Sequence, residues 1–186
     1  MTATTPGIMT MTLEAFADTI VPGEKRSPDD TAIAGAADGP GAVAAGALEL
    51  LAWSATGISD ALPDLVQSLN RHADAYAAEH GLVPGGLVPA FVTLPFEHRT
   101  ALVQELTAPS HPEKALWVLL ALFSNMAFDS AAHLNTASAL ADGHPGLTAI
   151  GLRHPDEDGL WRFPQSSYGR PLAGLRPGTT LSGSPA

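Results

Sequence analysis

The sequence predicts an all-α fold: a single-domain helical bundle built around a long apolar central helix, with an irregular C-terminal arm. Three observations predict it. Apolar residues recur at helical spacing in segments bounded by Pro and Gly, as with Leu13, Phe16, Ala17 and Ile20 ahead of Pro22-Gly23. The stretch from Ala115 to Phe128 is apolar nearly all round, which suits a helix enclosed by others. No run of alternating apolar and polar residues marks a strand, and no repeat of roughly 20–50 residues is present.

Taken in order, Thr12 caps a first amphipathic helix that Pro22-Gly23 ends. Residues 24–40 mix charges with Ser, Pro and Gly, which predicts an exposed, mobile connection with few core contacts. Gly41 to Trp53 is Ala-rich and predicts a buried second helix. Ser59 caps a third, through Leu62, Leu65, Val66, Leu69, His72, Ala73 and Tyr76, with Pro63 in its first turn and Gly81 behind its end. Phe91 starts a turn. Thr93 caps a helix over Leu94 to Leu106 whose Arg99 and Glu105 face outward. Glu113 to about Leu140 is the strongest helix signal and supplies the central helix. The expected organisation is a flexible N-terminus over 1–11, a helical domain over 12–146 and an extended arm over 147–186.

Composition narrows the function. With 186 residues, a single core can bury about two thirds of the unfolded surface without disulfides or a structural metal. Nine basic against nineteen acidic residues give a net charge of −10, which repels phosphate backbones and anionic lipid, so neither nucleic acid nor membrane is the expected partner. The absence of cysteine excludes a thiol nucleophile and any Cys-ligated metal or cluster. Met1 to Met11 lacks the basic flank and apolar run of a secretory signal, and Ala115 to Phe128 is shorter than the ~18 residues of a membrane span.

One constellation has the residue types of acid–base chemistry: Asp129, His133, Asp142 and His144. At i and i+4 on a helix, Asp129 and His133 share a face, so the carboxylate can orient the imidazole. The same pair also suits a purely structural role. A metal site is not expected, because one Asp-x-x-x-His pair lacks the second ligand pair of helical di-iron bundles and the His-Glu-x-x-His of zinc proteases. His72, His80, His98 and His111 are scattered near helix ends and loops and form no ligand pattern in the sequence. No nucleotide-binding fingerprint or Gly-x-Ser-x-Gly elbow is present. In the arm, Trp161, Phe163, Tyr168 and Arg170 are of the types favoured at interface hot spots, and they suit either a partner surface or a fold back onto the bundle.

The segment from Thr12 to Gly23, Thr-Leu-Glu-Ala-Phe-Ala-Asp-Thr-Ile-Val-Pro-Gly, resembles the opening of the small third subunit of gluconate 2-dehydrogenase and its relatives. The likeness is sharp over that dozen residues and architectural over the remainder, where Arg99 sits mid-helix ahead of a long apolar helix. Asp18 and Pro22-Gly23 are the family-like positions, in a structural role. The resemblance implies a helical accessory subunit, with no cofactor of its own, that binds a larger flavoprotein oxidoreductase of the glucose–methanol–choline type; FAD would belong to that partner. Many such subunits carry a twin-arginine signal, and none precedes Thr12, which points to a cytoplasmic complex. Two other readings stay open. One is a small cofactor-free cyclase, dehydratase or isomerase acting on an apolar small molecule through Asp129 and His133. The other is a binding protein whose bundle holds a ligand without chemistry.

Overall fold

The computed structural model describes residues 6–83, 86, 88–153 and 178. Among these residues the protein is all-helical, with no strand. Its helices are α1 (Pro6–Ile20), α2 (Ala47–Ala52), α3 (Leu62–Glu79), α4 (Ala90–Thr93), α5 (Phe96–Leu106), α6 (Lys114–Asp129), α7 (Thr136–Ala141) and α8 (Pro145–Ala149), with short 3-10 turns at Ser54–Thr56 and Ser59–Ala61. The chain divides into two units, Met1–Leu152 and Arg153–Ala186, and all eight helices belong to the first. The expected arm boundary at 147 falls inside α8. Trp161, Phe163, Tyr168 and Arg170 lie outside the described residues.

The helix at the centre is α1, not α6. It packs against α2, α3, α4, α5 and α6, and every residue from Thr12 to Thr19 is buried. Thr12 therefore does not cap the helix. The helix begins at Pro6, within the segment expected to be flexible, and Thr12 lies mid-helix, donating to Ile8 O at 2.8 Å and accepting from Asn70 Nδ2 at 3.1 Å. Burying four polar residues on one helix costs heavily unless each finds partners. Thr19 donates to Ala15 O, Glu14 pairs with Arg26, and Asp18 accepts two backbone N–H groups. Around this helix and its Phe16 the core is closed by Leu51, Leu69, Phe91, Leu106, Trp117 and Leu120.

Residues 24–40 are anchored rather than loosely attached. Ala32 and Ile33 are buried, and Arg26 bridges Glu14 and Asp30. Arg99, expected outside, is 4 % exposed and donates to the carbonyls of Ala32, Thr31, Leu94 and Val92. One guanidinium thus ties this loop to α4 and α5. Thr93 turns back to Ala90 O rather than capping, and α5 begins after Pro95.

Helix ends follow a shared device with one departure. At Gly81 (φ 65) the N–H of Gly81 reaches Ala78 O and that of Leu82 reaches Ala77 O, the Schellman pairing that a left-handed glycine permits, and Gly143 repeats it behind α7. The segment expected as one helix from Glu113 to Leu140 instead breaks after Asp129. There the left-handed position is Ala131 (φ 48), with the N–H groups of Ser130 and Ala132 both turned back to Met126 O. A turn and α7 follow, capped by Asn135, and then α8, which opens at Pro145.

Candidate functional site

The break after Asp129 changes the geometry of the expected acid–base group. Asp129 is exposed and accepts from Asn125 Nδ2 at 2.7 Å, and no hydrogen bond or ion pair joins it to His133. The i, i+4 relation holds only on a continuous helix, and His133 lies beyond the helix end. Asp142 caps the end of α7 and faces solvent.

The two histidines do come together, with ring centroids 6.3 Å apart. His144 is buried and fully committed: its Nε2 donates to Ala45 O at 3.0 Å, while its Nδ1 accepts from Leu147 N and caps α8. His133 packs against Gly46 so closely that a Cβ there would stand 2.5 Å from His133 Nε2. Its Nδ1 is buried with no hydrogen-bond partner among the described residues. Burial holds the His133 imidazole below its ordinary pKa; Glu49 opposes that shift and His144 adds to it. Together the two rings clasp the turn over residues 41–46 against the C-terminal helices, which is a structural arrangement.

Two cavities flank the 24–40 loop. One, of about 420 Å³, is bordered by Asp18, Gly23, Arg26, Gly41, Val43 and Pro145. The other, of about 630 Å³, lies between Asp30, Ile33, Val92, Phe96 and Arg99. Asp18 receives Gly23 N at 3.1 Å and Ala34 N at 2.8 Å, one on each carboxylate oxygen, so it pins both the Pro-Gly turn and the far end of the loop. Burial pushes its carboxyl above the usual range, against those two donors and the Arg99 charge. Both cavities thus have walls fixed by hydrogen bonds that span the chain.

A third group is one that sequence spacing did not reveal. On α3, His72, Tyr76 and His80 succeed one another at i, i+4 and i+8, so they share a face. His98 of α5 meets this face, its Nδ1 3.1 Å from Tyr76 Oη, and His80 stacks on the Tyr76 ring at 3.9 Å. One turn earlier, His72 Nε2 lies 2.9 Å from Glu113 Oε2, and His111 lies beside both. Each of His72, His111 and Glu113 offers a donor atom within 4.8 Å of the others. Trp117 Nε1 also donates to Glu113 Oε2, at 3.3 Å. His72 and Trp117 hold the Glu113 carboxyl below the ordinary range, the His72 hydrogen bond most of all. The signal available in advance was His72 in an otherwise apolar stripe; its hydrogen-bond partner Glu113 comes from 41 residues away.

A family model described as a family of unknown function (DUF5987) matches residues 7–186. The chain belongs to DUF5987. The match takes in α1, with its buried Asp18, and the His72, His111 and Glu113 cluster alike. No curated protein and no solved structure matches this DUF5987 member.

Proposed function

We propose that this protein is an accessory, non-catalytic subunit that binds and supports a larger flavin-dependent oxidoreductase of the glucose–methanol–choline type in the cytoplasm, with FAD held by the partner. The observation that carries this reading is the outward face of α6. Leu116, Val118, Leu119 and Leu122 are 43, 39, 36 and 46 % exposed; Val118, Leu119 and Leu122 form an i, i+3, i+4, i+7 stripe with the exposed Ala115, and Leu116 borders it. That pattern belongs to a helix face meant to be covered. A net charge of −10 and the exposed Asp129 at the end of the stripe favour a partner with an apolar strip flanked by basic side chains, and disfavour anionic lipid. The likeness of residues 12–23 to the gluconate 2-dehydrogenase third subunit supports a flavoprotein as that partner, and the structural work of Asp18 in the turn fits the role expected of it there.

The test is co-expression of the full chain with each glucose–methanol–choline-type oxidoreductase of its own genome. Co-elution at fixed stoichiometry with one of them, lost in the Leu119→Glu/Leu122→Glu double variant, supports the reading. Elution alone from every one of them overturns it.

A further inference from the structure

We propose that His72, His111 and Glu113 form a binding site for one divalent first-row transition ion of the zinc class. Two imidazoles and one carboxylate are a ligand set that holds such ions at three positions and leaves the rest to water or an exogenous ligand. The distances are already close to what coordination requires. Two ligand atoms each ~2.1 Å from one ion stand roughly 3.0 Å apart in an octahedral shell and roughly 3.4 Å in a tetrahedral one, and His72 Nε2 stands 2.9 Å from Glu113 Oε2, so a few tenths of an ångström of opening suffice. For the ion to take the Nε2 lone pair, the proton that His72 Nε2 shares with that carboxylate moves to Nδ1 of the neutral imidazole, and only an imidazolium releases one to solvent.

The surroundings position the donors. Oε2 is the oxygen that receives both His72 and Trp117 Nε1–H, while Oε1 has no protein partner among the described residues. Trp117 is wholly buried, so its indole N–H is a fixed contact of the outer-shell kind that orients a ligating carboxylate. The His72 ring is held edge-on between the rings of His111 and Trp117, at 5.5 and 5.8 Å. His111 Nδ1 carries the available lone pair and accepts from Glu113 N at 3.2 Å, the long end of the hydrogen-bond range, so coordination exchanges a weak contact for a strong one. All three ligands are only partly buried, which leaves a path for the ion and room for its waters. Imidazole donors select zinc, cobalt, nickel or copper over magnesium and calcium.

The test uses tag-free full-length protein titrated with Co²⁺, read by its d–d absorption, and with Zn²⁺ by calorimetry, with Mg²⁺ as a third arm. The expected result is one Co²⁺ or Zn²⁺ per chain and no Mg²⁺ uptake. His111→Ala and the near-isosteric Glu113→Gln should each weaken binding about tenfold or more, with helix content by circular dichroism unchanged. His80→Ala and His98→Ala, in the neighbouring cluster, should bind as the parent does. No uptake, or an equal loss in the His80 and His98 variants, overturns the site.

Discussion

Arg99 shows how much one side chain can hold. Among the described residues its guanidinium meets no carboxylate at hydrogen-bond distance; it is satisfied by four backbone carbonyls drawn from two separated stretches of chain. Removing it leaves those acceptors buried without donors, so Arg99→Ala should destabilise the fold by about 3 kcal/mol or more. Arg99→Lys should recover only part of this, because an ammonium cannot reproduce the planar fork. Urea denaturation midpoints measure both, and an alanine variant within ~0.5 kcal/mol of the parent would show that the loop is held by other means. The sequence placed Arg99 outside because an arginine beside a polar neighbour usually is. The carbonyls of Thr31 and Ala32, 68 and 67 residues away, complete with those of Val92 and Leu94 the set that makes its burial favourable. His72 was hidden for the same reason.

Among the elements, α6 was legible in its length of apolar sequence and illegible in its end and its faces. Its start and helical character follow from periodicity. Its end does not, because the chain uses Ala131 where α3 and α7 use glycine in the left-handed position, and nothing in an alanine announces that. A left-handed alanine costs roughly 1–2 kcal/mol, offset here by full burial of Ala131 with Ala139 and Leu147. That end also separates Asp129 from His133, whose pairing depends on helical continuity. The apolar circumference of α6 suggests core all round, yet the exposed stripe places one face of it at the surface. Two predictions belong at this scale. Replacing Leu119 and Leu122 by Glu should change the chain's own stability by no more than about 0.5 kcal/mol per site, measured by thermal melting, since both side chains already meet solvent. Gly146→Ala should instead destabilise by about 1–3 kcal/mol. A Cβ there would lie 2.1 Å from Phe128 O, so α8 could not keep its approach to the last turn of α6. A variant that melts with the parent would place α8 further from α6 than this geometry has it.

For the whole molecule, the fold class was readable because periodicity and punctuation act locally, while the sites join residues that only tertiary packing brings together. The clasp of His133 and His144 on the 41–46 turn is such a junction, and it makes the stability of the compact unit depend on pH. Burial depresses the His133 pKa in the folded state, so between that value and the unfolded imidazole's value of about 6.5 the unfolded chain binds more protons than the folded one. Stability then rises with pH across this window and falls as pH drops through it. Asp18 works in the opposite direction. Its folded pKa is raised, so its contribution is present at low pH and lost as pH climbs through that value. The two can therefore be separated by variant. Urea denaturation of the parent at pH 7.5 and pH 5.5 should show lower stability at the acid value, and His133→Gln, which cannot take up the proton, should show a smaller drop. Equal drops in the two proteins would move the acid sensitivity away from the clasp.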